Sequence, residues 1–302
     1  MSQRLAQQLG HMARDRTSGA AQLALQSVEA LESWLRRHPH PSEADVEASA
    51  VRLLRLQSSM APILRLANEV ALAADAPAPG VALALGLRRF RRGLEGARGR
   101  IARHFASRLS SSASGGRLTL ATYSFSSTVI GAMVAARRQI GTVLVAESRP
   151  ESEGRVTAEE LASAGISVHY TTDAGLLSLL PTAGLFAVGA DAVLSHAFVN
   201  KIGTRIASLA AREAGIPVWV LSDSTKFLPE ELAAPFWRPN DGPPARLWSR
   251  PPRGVAVRNP LFEHTELTHV RMITESGPLD PSEVRDAVEA VQLSPRLKRL
   301  AE

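Results

Sequence analysis

RLTLATYSFSSTVIGAMVAARRQIGTVLVAESRPESEGRVTAEELASAGISVHYT, residues 117–171, decides the fold. Three short apolar runs (RLTLATY, GTVLVAES, ISVHYT) alternate with two helical stretches, STVIGAMVAARRQI and TAEELASAG, the second ending on Gly165. Short apolar strands separated by helices imply βαβ units and a parallel sheet covered on both faces. Downstream the alternation continues. AGLLSLLPTA reads as a short helix, GLFAVGA as a strand, NKIGTRIASLAAREAG as a helix ending on Gly215, and IPVWVLS as a further strand. The expected class is α/β: an N-terminal helical domain followed by a Rossmann-like, doubly wound, mainly parallel sheet, in which ligands bind at the carboxyl ends of the strands.

Upstream, residues 1–109 read as helices only. Ala24, Val28, Leu31 and Leu35 recur at helical spacing in a stretch from Arg16, with Asp15 as a possible cap. HPHPSEADVE breaks the pattern, and Ser42 ahead of Glu43 and Asp45 marks a new helix start. That second stretch runs to about Ala73, and a third covers Val81 to Leu109. SSSASGG at 110–116 is the expected junction, dividing the chain into domains 1–112 and 113–302. The Pro-, Arg- and Trp-rich segment 234–260 is either an ordered excursion or a flap.

With 302 residues, 45% apolar and 21% charged, the chain has the composition of a globular protein. No run of 18 apolar residues suggests a membrane span, and the N-terminus lacks a signal-peptide core, so a cytoplasmic protein without a membrane partner is expected. The absence of cysteine excludes disulfides, thiolate catalysis and Cys-based metal sites. The net charge of +6 rests on 32 Arg and three Lys, a bias that reflects codon preference more simply than a polyanion partner. In LRRFRRGLEGARGRIARHF, Arg88, Arg92 and Arg103 fall on one side of a helix and Leu94, Ile101 and Phe105 on another, the pattern of a solvated face over a packed one. Nucleic acid is therefore not the expected partner. The eight histidines lack metal-ligand spacing, and neither metal nor cofactor is expected.

The candidate chemistry lies just past the strands. Thr122-Tyr123-Ser124-Phe125-Ser126-Ser127-Thr128 is a hydroxyl-rich strand-to-helix turn, suited to an anion or simply to helix capping. Arg149, in Glu147-Ser148-Arg149-Pro150, is a phosphate contact or a surface charge. Asp191 follows GLFAVGA as a catalytic acid or a cap. Asn200 and Lys201 read as the start of a helix, where a lysine opposes the macrodipole unless an anion is present. Lys226 follows the IPVWVLS strand in SDSTKF. His196, between Asp191 and Asn200, either lines a pocket or is structural.

Together these motifs resemble a known family. VGADAV, FVNKIGT, STKF, AESRPESEGRVTAEELASAGI and NPLFEHTELTHVRMITESG are similar to segments shared by the alpha, beta and delta subunits of translation initiation factor 2B, methylthioribose-1-phosphate isomerase and ribose-1,5-bisphosphate isomerase. The resemblance covers about Arg117 to Glu283, and DRTSGAAQLA extends it toward the N-terminus. It implies an aldose-1-phosphate isomerase chemistry, in which an acid protonates the ring oxygen and a hydrogen moves from the second carbon to the first. The family's acid matches Asp191, and its Cys matches Ser124. Arg16, Arg149, Asn200, Lys201 and Lys226 match substrate contacts, and Ser126 completes the hydroxyl motif.

The departure is the thiol. A thiol of pKa about 8.5 exchanges protons near neutrality, an unassisted serine does not, and losing such a group costs about 10²–10⁴-fold in rate. Tyr123 is no base, and no histidine is close in sequence. Two readings remain: an isomerase in which Asp191 is the acid and Ser124 orients substrate or water, or a regulatory module that senses a pentose phosphate or nucleotide without chemistry. By analogy the chain is expected to be a homodimer.

Overall fold

The computed structural model of the protein describes residues 3–14, 19–56, 58–112, 116–239 and 241–301. Five helices come first: α1 (Gln3–Arg14), α2 (Ala20–Arg37), α3 (Glu43–Leu54), α4 (Ala61–Ala74) and α5 (Pro79–Ser112). The alternating region runs β1 (Leu118–Thr122), α6 (Ser127–Ala135), β2 (Ile140–Ala146), α7 (Gly154–Ser163), β3 (Ser167–Thr171), α8 (Asp173–Leu179) and β4 (Leu185–Gly189). It continues with β5 (Ala192–Val193), β6 (Ala197–Lys201), α9 (Thr204–Glu213), β7 (Val218–Leu221), α10 (Glu230–Phe236), β8 (Phe262–Glu266), β9 (Val270–Thr274), β10 (Gly277–Leu279), α11 (Pro281–Glu289) and α12 (Pro295–Ala301).

The chain divides into two compact units. The first comprises Met1–Gly96, Ser224–Pro239 and Asp286–Glu302, the second Ala97–Asp223 and Asn240–Arg285. In the first, Ser42 caps α3 as expected, its Oγ accepting from the Asp45 N–H at 3.2 Å. The single helical stretch expected over 43–73 is two helices, because Pro62, which lacks an N–H and clashes in a helix interior, is accommodated in the first turn of a new helix, α4. The C-terminal α12 is drawn into this unit by Arg296, whose guanidinium donates to Asp75, Glu47 and Glu43 at 2.6, 2.7 and 2.9 Å. Asp15 and Arg16 lie outside the described residues, as does part of the expected junction at 110–116.

The second unit is built on a seven-stranded sheet of order β10-β9-β7-β4-β1-β2-β3, in which only the edge strand β10 is antiparallel to its neighbour. Numbered by chain order, its parallel strands run 3-2-1-4-5-6, the doubly wound arrangement, with the order reversing between β1 and β4. Its core gathers Phe105 and Leu109 of α5 with Leu120, Val143, Leu185, Leu221 and Ile273 of the sheet. Phe105 meets Trp219 edge to face, the ring centroids 5.7 Å apart. Along α5, Leu94, Ile101 and Phe105 are buried while Arg88, Arg92 and Arg103 are exposed, as the spacing requires. Among the described residues no helix is long and apolar enough to cross a membrane.

One expectation is overturned. Asn200 and Lys201 do not open a helix; they end β6, the middle strand of a separate antiparallel sheet β5-β6-β8. Five consecutive buried residues, Ala197–Lys201, pair with Glu266–Phe262, and that ladder outcompetes a helical start. Helix α9 begins only at Thr204, after Gly203 turns the chain at φ 101°. The 234–260 segment is an ordered excursion over its second-unit part: Gly242 N–H donates to the Asn259 carbonyl at 2.8 Å, and buried Asn259 donates to the Pro243 carbonyl at 3.0 Å.

Gly203 is constrained twice, by its left-handed backbone and by the Tyr123 hydroxyl, which a Cβ at 203 would strike. Gly203→Ala is expected to destabilise the protein by about 1–3 kcal/mol, from backbone strain and steric displacement together. The check is the midpoint of urea unfolding, and a midpoint equal to wild type would refute the constraint.

Candidate functional site

The first turn after β1 places Ser124 in left-handed backbone, φ 65°. For a non-glycine residue this is a costly geometry, sustained only where neighbours hold it. Every polar group of Ser124 is held. Its N–H donates to Ser148 Oγ at 2.6 Å, its carbonyl accepts from Thr157 Oγ1 at 2.9 Å, and its own Oγ donates to Glu153 Oε2 at 2.5 Å. The other oxygen of Glu153 accepts from Lys201 Nζ at 2.9 Å. The Lys201 ammonium also lies 5.1 Å from the centroid of the Phe262 ring. Ser124 and Lys201 are each only 5% exposed, whereas a third of the Glu153 side chain (33%) faces solvent. The cluster Ser124–Glu153–Lys201 thus opens outward through its carboxylate.

Glu153 corrects the expectation that no base lies near Ser124. It is 29 residues away in sequence, the residue just before α7, and only the parallel pairing of β1 with β2 brings it close. Gly154 fits beside it because a Cβ there would collide with the Ala146 carbonyl.

A second carboxylate organises the loop from below. Asp173, the first residue of α8, accepts from the Ser148 N–H at 2.7 Å and the Arg149 N–H at 2.9 Å, fixing the turn after β2. Ser148, also left-handed at φ 61°, is the residue that holds Ser124. The Asp173 carboxylate also acts on the Tyr123 phenol. Burial, and then the charge and hydrogen bond of Asp173, push the Tyr123 phenol far above its ordinary range, so it stays protonated.

The remaining expected residues divide. Asp191 follows β4 after Gly189-Ala190, half-buried, its N–H donating to the Val199 carbonyl at 2.8 Å. A Cβ on Gly189 would come within 2.6 Å of Ser126 Oγ, so the end of β4 is pressed against the turn after β1. Asp191 and Ser124 therefore belong to the two strands that flank the switch point. Ser126 caps α6, accepting from the Val129 N–H at 3.4 Å, which fits the capping alternative. The exposed Arg149 guanidinium donates to the Pro150 carbonyl at 3.2 Å. Buried Asn200 donates to Thr204 Oγ1 at 3.0 Å and does not cap α9. That helix start is taken by Glu263, which accepts from the N–H groups of Gly203 and Arg205 at 2.7 and 2.8 Å. Lys201, expected in the first turn of a helix, is instead buried on the small sheet and paired with Glu153. Lys226 lies in a short turn, Ser224–Lys226, of the first unit. His196 is exposed in the turn between β5 and β6. Glu153, Ser148, Asp173 and Glu263 escaped the sequence reading. The one local signal was a carboxylate directly ahead of a helix in the same turn as Arg149.

A doubly wound sheet whose strand order reverses between β1 and β4, with polar side chains gathered in the turns that follow its strands, defines a Rossmann-like protein. The chain belongs to the Initiation factor 2 subunit family, whose sequence pattern matches residues 13–281. It is 32% identical over 146 residues to ribose 1,5-bisphosphate isomerase of Pyrococcus furiosus, covering 46% of this chain and 45% of the relative. It is 35% identical over 164 residues to a putative translation initiation factor eIF-2B subunit 2-like protein of Pyrococcus abyssi, covering 53% and 57%. The match thus spans about half the length of these curated relatives. Among solved structures, the translation initiation factor eIF-2B of Pyrococcus horikoshii OT3 superposes with a TM-score of 0.69 at 27% identity, over 93% of this chain and 98% of that one. The 5-methylthioribose 1-phosphate isomerase of the same organism shares the fold, with a TM-score of 0.64 at 16% identity over 98% and 88% of the two chains.

The burial of the Tyr123 phenol, with Asp173 beside it, has a pH signature. Folding raises the phenol above its unfolded pKa of about 10, so the stabilisation is complete below that pH and is lost as pH rises through and beyond it. Melting temperature followed from pH 9 to 11 is expected to fall less steeply in Tyr123→Phe than in wild type. Parallel curves would exclude a raised phenol pKa in the folded protein.

Proposed function

We propose that this chain binds a phosphorylated pentose in the crevice at the carboxyl ends of β1, β2 and β4, and isomerises an aldose 1-phosphate to the ketose. The observation that carries the reading is Ser124, locked in left-handed backbone with its hydroxyl on a carboxylate, across the switch point from Asp191. A residue held at that conformational cost by three partners is the kind of feature that accompanies ligand chemistry. Relatives named as ribose 1,5-bisphosphate isomerases support the substrate class.

In this reading Asp191 is the acid. The anomeric oxygen of an aldose 1-phosphate is esterified, so the ring opens only if its oxygen is protonated as the bond to the first carbon breaks. Ser124 orients the sugar or a water. Asn200, Lys201 and Arg149 are drawn on for polar and phosphate contacts, with Arg16 and Lys226 as further contributors, and a homodimer is the working assembly. Lys201 reaches the ligand by sharing its ammonium between Glu153 and the incoming anion.

A second reading is favoured by one feature. Serine stands where the resemblance places a thiol, so the crevice could bind the same ligand without turning it over, as a sensor. Relatives named as initiation-factor subunits fit that outcome.

Thermal shift against ribose 1-phosphate, ribose 1,5-bisphosphate, methylthioribose 1-phosphate, the matching ketoses and AMP separates the readings. Ligand at about 100 times its dissociation constant stabilises a fold by about 2.7 kcal/mol. The expected result is stabilisation by an aldose 1-phosphate with ketose accumulating in the same sample. In Asp191→Asn the ketose is expected to disappear while binding persists. Binding without conversion by wild type selects the sensor, and no binding by any compound removes both readings.

A further inference from the structure

We propose that Glu153 is the proton-transfer group of this site, taking a proton from the second carbon of the sugar and returning it to the first. The inference rests on the isomerase reading above and supplies the step that Ser124 cannot perform.

After the ring opens, a carbon-bound proton must be removed beside an electron-poor first carbon, and only a group basic near neutral pH can do it. A serine hydroxyl is too weak an acid to serve as such a shuttle, and the Tyr123 phenol is held protonated by burial and Asp173. Lys201 is a buried ammonium already donating to a carboxylate. The group in contact with both Ser124 and Lys201 is the Glu153 carboxylate, and a positioned carboxylate is a competent base for a proton next to a carbonyl-like carbon.

Its setting suits the role. One hydrogen bond reaches each carboxylate oxygen, from Ser124 and from Lys201, which fixes the plane of the group while leaving a second lone pair on each oxygen. Those two donors are almost wholly buried, and Glu153 is the member of the cluster that meets solvent. A phosphate drawn toward Lys201 shares its ammonium and is thereby placed beside the carboxylate.

The step balances. Asp191 gives its proton to the ring oxygen, and the bond from that oxygen to the first carbon breaks with its electron pair going to oxygen. Glu153 takes the proton from the second carbon, and that C–H pair becomes the double bond between the first and second carbons. The proton then returns to the first carbon as the second-carbon hydroxyl becomes a carbonyl, its proton restoring Asp191. Nothing is oxidised or reduced overall.

The test is turnover of ribose 1,5-bisphosphate by wild type, Glu153→Gln and Glu153→Asp, with binding measured by calorimetry on the same samples. Glu153→Gln is expected to lower kcat by about 10²–10⁴-fold. Its dissociation constant should stay within about tenfold of wild type, since a glutamine still accepts from Ser124. Glu153→Asp keeps the carboxylate and is expected to retain more activity than Glu153→Gln; it also serves if the glutamine variant fails to fold. In D2O the wild-type ketose should carry deuterium on its first carbon, because a solvent-facing carboxylate exchanges its captured proton. Glu153→Gln with kcat within threefold of wild type, or a wild-type product free of deuterium, overturns the inference and leaves the isomerase reading standing. Wild-type enzyme that binds the bisphosphate but never converts it removes that reading, and this inference with it.

Discussion

A lysine with 5% of its surface in water cannot remain an ammonium without a nearby anion, and much of the site follows from how that demand is met. Lys201 is carried into the interior by β6, which is paired there with β8. Its partner must come from another element, and that element is the turn between β2 and α7, which supplies Glu153. Once the turn is anchored there, Glu153 presents its second oxygen to Ser124, and the hydroxyl at the end of β1 is fixed as well. One charge pair thus ties the small antiparallel sheet to the switch point of the large one.

The turn needs a second support, because a loop carrying Ser124's partners cannot be held by one salt bridge. Asp173 provides it through two backbone N–H groups. Two carboxylates therefore grip the same loop. Glu153 grips it through charge and Asp173 through hydrogen bonds to backbone, which is why two serines in it can sit in left-handed conformations that unsupported chain would leave.

The large sheet was legible in the sequence because strand and helix periods differ, and the alternation in 117–221 is regular enough to count. Legibility stopped where two local signals competed. Asn200 ahead of a helix reads as a cap, yet the AFVNK run is claimed by a strand partner 60 residues on, and no local pattern reports a partner at that distance. Glu153 was passed over for the same reason. A carboxylate before a helix is ordinary, and its meaning depends on Ser124 and Lys201 arriving from separate segments. Residues just past strand ends, such as Asp191 and Ser124, were singled out because topology alone puts them at the carboxyl edge of the sheet. The clasp of α12 by Arg296 was invisible, since Glu43, Glu47 and Asp75 each look like ordinary surface acids.

The exchange of thiol for hydroxyl reads differently once Glu153 is beside it. A thiol is a weak hydrogen-bond donor, while a hydroxyl donating to a carboxylate makes one of the stronger contacts available to an uncharged side chain. At 2.5 Å, Ser124 is a better partner for Glu153 than a cysteine would be. A serine that were merely a remnant would have no reason to keep a backbone geometry costing about 1–2 kcal/mol, with its N–H, carbonyl and hydroxyl all engaged. The geometry is coherent if the basic group of the site has moved from the residue at the end of β1 to the carboxylate that this residue holds. Ser124 then contributes by orientation, and acid–base capacity passes to a side chain with the solvent access it requires.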